Sequence, residues 1–491
     1  MSPTRRLVLG VAVVCGAFHA TPEATQDAPS PAATADNRAP GETSFLVENV
    51  TRAELWRFFT PPPGGGAEPD YAFIGNRSTL GARYRGSRWS FGGAIQYVRL
   101  ENLPRGAIGP GLLGTGGAYF FQAAGTFSYQ FYLRGLSATL SSTDGSLAID
   151  AGRLSIDEPS AAGASDTPVE RLARERVSGR LLGDMPGTLY QRAWDGVRAR
   201  LARGTWRATA VAALPTQGTF EESANLPLDR VRVVALDVVR EATAPTPLRA
   251  HGFASVYRDT RQVRARPDNT GLLAPAVDLT IVTGGASVVA AADQGPGRWD
   301  VVAWAALQGG GWYGQPHRAG AAALEGGYRW RTAWRPWLRT GVFYASGDAD
   351  AGDDRHHTFF PLLPSGDQYV ASNTFALMNV VDAWAAVRLS PHPRLDVASE
   401  LHRVGLASGA DRWYFGSGAT ERRGNYFGYL GRQVGAARDL GTIAEARLAW
   451  RATRWWTVRG YLGRFLGGDA VRHAFAGDRL TTGWVESVLR F

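Results

Sequence analysis

All 53 basic residues of this 491-residue chain are arginine; no lysine occurs. A guanidinium stays charged across the physiological pH range and grips a carboxylate through two parallel hydrogen bonds, whereas an ammonium acts as a point charge. The placement of these residues is regular. Between Asn76 and Arg85, Arg77, Thr79, Gly81, Arg83 and Arg85 fall on one face, and Ser78, Leu80, Ala82 and Tyr84 on the other. Glu325, Gly327, Arg329 and Arg331 alternate with Leu324, Gly326, Tyr328, Trp330 and Thr332. Glu445, Arg447, Ala449 and Arg451 alternate with Ala446, Leu448 and Trp450. The chemistry available to such rows is non-covalent: a surface of guanidinium raises the local concentration of carboxylate-bearing solutes.

Other chemistry is poorly represented. Gly109-Pro-Gly-Leu-Leu-Gly114 matches G-x-G-x-x-G but contains Pro and opens no βαβ unit, so it reads as loop glycines. Asp144-Gly-Ser-Leu147 only transposes a lipase-type motif, and neither G-x-S-x-G nor H-E-x-x-H occurs. His251, His402 and His473 offer no sequence-legible pairing for catalysis, so no enzyme is expected. No cofactor is expected either. The exception is Ca²⁺ in the acidic loop beside His356-His357, where Asp348, Asp350, Asp353 and Asp354 supply oxygen ligands without a twelve-residue EF-hand spacing. A net charge of +9 suits acidic partners, yet the arginines form no basic cluster, which argues against nucleic acid.

The elements that position these rows are strands. From Phe45 onward the apolar pattern has period two, punctuated by Gly, Pro, Asp and Asn, and long helical periods are scarce. The composition is 44% hydrophobic and 20% charged, which excludes a disordered chain, and a single Cys excludes a disulfide scaffold. Residues 1–24 read as a secretory leader: Arg5 and Arg6 precede the short apolar run Leu7 to Phe18, with Cys15 leaving in the leader. Residues 25–44 read as a flexible lead-in, and 45–491 as a single all-β domain, a transmembrane antiparallel barrel. Trp304, Trp330, Trp334, Trp337, Trp384, Trp450, Trp455 and Trp456 lie within or at the ends of strand-like segments, as membrane-interface girdles require.

Connections alternate in length. Gly86-Ser87-Arg88, Arg203-Gly204-Thr205 and Arg335-Pro336 are tight, whereas 60–70, 101–117, 157–180, 262–276, 346–370 and 408–425 are long. At about 25 residues per strand with its share of turn and loop, roughly 450 mature residues make ~18 strands. The last segment ends in Phe491, with Val485 and Leu489 on the same face, which is the signal that outer-membrane assembly machinery reads.

Four stretches then resemble the alginate-export family of outer-membrane porins. Arg180-Leu-Leu-Gly183 with Tyr190-Gln-Arg-Ala-Trp-Asp-Gly-Val-Arg198 is similar to its "R-l-l-G … R-s-f-D-G-v-R" stretch, and Ala151-Gly-Arg-Leu154 to its "G-R" strand. Ala345-Ser-Gly-Asp348, Asp353-Asp354 and Thr358-Phe-Phe-Pro-Leu-Leu-Pro364 resemble its "S-G-D … D … F-x-P-L-x-P" loop. Gly460-Tyr-Leu-Gly-Arg-Phe-Leu-Gly467 resembles its penultimate strand. The resemblance covers roughly residues 45–491 and implies an 18-stranded monomeric barrel whose arginine-lined constriction passes an anionic polysaccharide.

Parity and motif together select the residues expected to face the lumen: Arg52, Glu54, Arg77, Arg83, Arg134, Arg153, Arg192, Asp195, Arg198, Arg329, Arg339, Arg388, Arg447 and Arg459. Asp195 and Arg198 have opposite parity, and a bulge at Gly196 would reconcile them. The functional reading is a passive channel in the bacterial outer membrane for anionic solutes, chiefly an acidic polysaccharide such as alginate or its oligomers. A general small-anion or small-solute porin is the alternative within this architecture; a structural or adhesin barrel, or an enzyme, is the alternative of another class. Expected partners are outer-membrane lipid and lipopolysaccharide, the barrel assembly machinery and the anionic solute.

Overall fold

The computed structural model describes residues 41–64, 67–111, 114–156, 167–218, 225–242, 246–365 and 370–491. The leader and residues 25–40 of the lead-in lie outside them. In chain order the strands begin with β1 Thr43–Arg57, β2 Asp70–Arg85, β3 Trp89–Glu101, β4 Phe127–Ser141, β5 Leu147–Leu154, β6 Trp194–Arg203 and β7 Trp206–Pro215. There follow β8 Val231–Ala242, β9 Leu248–Asp259, the two-residue β10 Gln262–Val263, β11 Leu279–Gln294, β12 Gly297–Trp312, β13 Gln315–Trp330 and β14 Trp337–Ala345. The last are β15 Val380–His392, β16 Leu395–Gly405, the short loop strands β17 Trp413–Gly416, β18 Arg423–Gly424 and β19 Tyr429–Arg432, then β20 Asp439–Arg451, β21 Trp456–Gly467 and β22 Arg479–Arg490. Helices are few: α1 Gly114–Ala123, α2 Pro168–Arg176 and α3 Asp469–Ala474.

Eighteen of these strands form one sheet, each pairing antiparallel with its neighbours in chain order, and β1 pairs with β22 to close it. Closure leaves no edge, so the backbone hydrogen bonds of the wall are made within it, which hydrocarbon demands. The period-two pattern sorts the side chains. In β2, Phe73, Arg77 and Thr79 are buried inside while Ile74 and Leu80 are exposed outside. In β13, Glu325 faces in and Leu324 out. Exposed leucine, valine and phenylalanine around the outer wall cost little only because lipid covers them.

The start of β1 and the end of β22 lie at one rim. At that rim β2–β3, β4–β5, β6–β7, β11–β12 and β15–β16 are joined by short turns, and the long connections all lie at the other. The β12–β13 turn, Tyr313-Gly314, is the one tight turn at the long-loop end among the described residues. Exposed Trp89, Trp206, Trp299, Trp334, Trp450 and Trp455 ring the short-turn rim, where the amphipathic indole suits the lipid–water interface. The girdle expectation fails for Trp304 and Trp384, which are 4% and 5% exposed and face inward. Trp337 shares the inner face with buried Arg339. Val485 and Phe491 are exposed on the outer wall on one parity with Leu489.

Candidate functional site

The interior is not an open tube. Between β5 and β6 the helix α2 lies inside the lumen, and the following segment 177–193 is mostly buried. Thr167 starts the helix by accepting a hydrogen bond from the Glu170 amide at 3.2 Å, and Pro168 occupies its first turn. Thr167-Pro-Val-Glu170 is a T-x-x-E capping signal that was legible in the sequence. Val169, Leu172 and Ala173 bury the apolar face against β9, β11 and β12. Arg171, Glu175 and Arg176 on the opposite face line the remaining cavities.

One wall carboxylate anchors this insertion. Glu325 of β13 accepts from Arg176 Nε at 2.8 Å and from Arg180 Nη2 at 2.8 Å, and Arg339 Nη2 lies 3.3 Å away. The same guanidinium groups lie over indole rings, Arg176 over Trp384 at 4.4 Å and Arg180 over Trp304 at 5.1 Å. A ring face holds a cation without neutralising it. The inward tryptophans are therefore supports for arginine.

Two cavities flank α2. One of about 360 Å³ opens toward the short-turn rim and is lined by seven arginines (Arg171, Arg298, Arg329, Arg331, Arg335, Arg388 and Arg451) against Glu175, Asp300 and Asp396. The second, about 320 Å³, shares Glu175, Trp337, Arg388 and Asp396 with it and adds Arg176, Arg339, Arg447 and Arg459. Arg329 has no carboxylate partner among the described residues and lies 5.9 Å from the Trp337 ring centre. Arg388 reaches Glu175 at 3.3 Å.

The structure places eleven of the fourteen expected residues on the inner face. Arg52 donates to Glu486 at 2.6 Å and to the Gly187 carbonyl at 2.7 Å; Glu54 accepts from Trp56 at 2.7 Å; Arg77 donates to the Thr188 carbonyl at 2.8 Å. Arg83 shares the parity of Arg77. Arg134 is the extra residue of a bulge, since Leu133 pairs with Ile95 and Gly135 with Ala94, and it reaches Asp184 at 2.8 Å. Arg198 holds Asp150 at 2.8 Å, Arg339 holds Asp300 at 3.1 Å, and Arg459 reaches Glu486 at 3.4 Å. Arg329, Arg388 and Arg447 complete the set along the cavities.

Three placements differ. Arg153 and Asp195 are register partners and form a two-pronged ion pair at 2.7 and 2.6 Å. They share the parity of exposed Ile149 and Val197, so they face outward near the long-loop end of the wall, where Asn225 also meets Arg153. The register runs through Gly152 and Gly196 without a bulge. A Cβ on Gly196 would sit 2.2 Å from the Ala212 carbonyl, which explains the glycine. Arg192 is fully buried among loops: Nη1 donates to the carbonyls of Gly183 and Leu363 at 3.2 and 3.0 Å, and Nη2 to that of Ser417 at 3.1 Å. It ties three segments together and touches no cavity described above.

The acidic loop does not gather into a Ca²⁺ site. Asp348 accepts from the Asp350 amide, Asp350 from Gly352 and Asp353 from Arg355, each closing a turn of its own backbone. No three ligand atoms from Asp348, Asp350, Asp353 and Asp354 converge among the described residues.

The family comparison decides the class: the alginate export profile matches residues 161–481, well over half of the chain. The chain belongs to the alginate export family. This alginate-export protein is accordingly an outer-membrane channel and not an enzyme. On the inner wall Ser287, His251 and Asp237 form a line of polar contacts at 3.4 and 2.8 Å. No curated protein sequence matches the chain. Among solved structures it is similar to OpdL of Pseudomonas aeruginosa, with TM-score 0.55 and 10% identity over 92% of this chain and 99% of that one. OccAB4 of Acinetobacter baumannii matches with TM-score 0.55 and 8% identity, over 92% and 98%. OccK2 of P. aeruginosa, solved in complex with glucuronate, matches with TM-score 0.55 and 8% identity, over 92% and 99%. These likenesses establish the barrel fold.

Proposed function

We propose that this barrel is a passive, anion-preferring channel whose arginine-lined lumen passes an acidic polysaccharide such as alginate or its oligomers. The observation that carries the reading is the cavity beside α2, with seven guanidinium groups against three carboxylates. In a narrow, partly desolvated passage such an excess concentrates carboxylate groups, and the interspersed acids keep binding weak enough for release. Family membership supports alginate as the first solute to test. We further propose that the barrel acts as a monomer and that Val485, Leu489 and Phe491 address it to the assembly machinery.

The test is the reversal potential of the purified protein in a planar bilayer under a salt gradient. Anion preference is expected, with Arg329→Glu and Arg388→Glu lowering it and Arg153→Glu, on the outer wall, leaving it unchanged. Cation preference of the unmodified protein would falsify the reading. A second reading, passage of small acidic solutes alone, draws on OccK2 and its glucuronate. Current block by uronate oligomers of increasing length separates the two: block that strengthens with length supports the polysaccharide, and block by monomer alone supports the small solute.

A further inference from the structure

Among the described residues, one group of three His, Asp or Glu side chains brings its ligand atoms within 4.8 Å of one another: Glu400, His402 and Glu445. Glu400 and His402 lie on β16 and Glu445 on β20, all facing the lumen. We propose that these three side chains form a binding site for a divalent transition-metal ion of the zinc class, whatever the channel passes.

Glu400 and Glu445 are directly paired across the two strands, and like charges in that position repel. The His402 Nδ1 lies 2.9 Å from Asp382 Oδ2, which fixes the ring and turns Nε2 toward Glu400. Nε2 and Glu400 Oε2 are 3.5 Å apart, an ion pair when the ring carries its second proton, and neither buried atom has a hydrogen bond to any other group. That gap is long for a hydrogen bond. It suits two ligands of one tetrahedral ion, which at about 2.0–2.1 Å from the metal stand roughly 3.3 Å apart.

Asp382, Glu400 and Glu445 face one bonded guanidinium, Arg447 at 3.0 Å from Glu445, while Arg176 in the same cavity is held by Glu325. Three carboxylates against this guanidinium and the His402 imidazolium leave one negative charge, so a divalent ion that displaces the imidazolium proton balances the cluster. Tyr461 donates to Glu445 at 2.5 Å and orients it, and the Ser372 and Ala371 amides reach it only at 3.4 and 3.3 Å, so they yield to a metal. Glu400 and Arg447 line the 320 Å³ cavity, which gives the ion its entry path and leaves a fourth position for water. One imidazole and two carboxylates with an open position is a donor set suited to zinc.

The experiment uses untagged full-length barrel in detergent, stripped with a chelator and titrated with Co²⁺. The proposal expects one equivalent per chain, the visible absorption of tetrahedral Co²⁺, and its displacement by Zn²⁺. Glu400→Gln and His402→Ala should each weaken binding at least about tenfold, while His473→Ala, on exposed α3, should not. Glu400→Gln nearly preserves shape, and its heat-modifiable migration on a gel reports that the barrel has folded. No binding by the unmodified protein, or binding equal in folded Glu400→Gln and the parent, overturns the proposal.

Discussion

Arg192 shows how one side chain can organise loops with no opposite charge. Its guanidinium meets three carbonyls and no carboxylate among its hydrogen-bond partners, and burial pushes it down to about 10. Hydrogen bonds from a charged donor are worth about 1.5–3 kcal/mol each, and a buried carbonyl left unmet costs about 1–3 kcal/mol. Arg192→Leu is therefore expected to loosen the 346–379 and 406–438 loops while the wall stays folded. Limited proteolysis should cut those loops faster, with heat-modifiable migration retained; unchanged cleavage would count against the role. Asp348 makes the same loops pH-sensitive. Burial first, then the Asp411 carboxylate, push its carboxyl up to about 6, against the Asp350 amide. The folded loop binds the proton more tightly than the free chain, so this contribution is complete below about pH 4 and lost as pH rises through about 6. His356 in the same loop is held well below 6.5 by burial and acts in the opposite direction on acidification. The difference between the parent and Asp348→Asn isolates the carboxyl: protection from protease should fall from pH 4 to 7 more steeply in the parent.

At the scale of elements, α2 is held in the lumen by contacts distant in sequence. Glu325 takes Arg176 and Arg180 from 149 and 145 residues away. Removing one partner of a buried ion pair costs about 3–5 kcal/mol, because the other charge is left without compensation. Glu325→Gln is expected to release α2 and raise single-channel conductance with more gating noise; a parental trace would show that the helix is held by its apolar face alone. Thr167→Ala removes only the cap, about 1 kcal/mol, and should give a smaller change in the same direction.

For the whole molecule, the closing seam joins the first strand of the barrel to the last. The Phe491 amide and carbonyl both bond Val47, at 2.9 and 3.2 Å, and Arg52 joins Glu486 across the β1–β22 pair. Deletion of Phe491 is expected to lower the yield of folded barrel in outer-membrane fractions several-fold, measured by heat-modifiable migration; an unchanged yield would remove the assembly role. The proposed anion preference should persist at high salt better than a surface effect would. Charges exposed to bulk water are screened over about 8–10 Å at physiological ionic strength, whereas partly buried ones are screened less.

The sequence by itself determined the class, an approximate strand count and the face of most strand residues, because period-two alternation is local and lipid and lumen reward it at every step. Arg77, Arg83, Arg329 and Arg447 were readable this way. Arg153 was placed in the lumen on its motif, although its parity matches outward Ile149, and only the pairing with Asp195 shows what the motif pair does. The capping signal at Thr167 was present, but its destination was not, because a helix start says nothing about which cavity the helix enters. Arg176–Glu325, Arg192 with its three carbonyls and the Glu400–His402–Glu445 cluster join groups far apart in sequence, across loops and strand register. Those contacts exist only after the sheet closes and its loops fold inward, so the tertiary structure alone decided them.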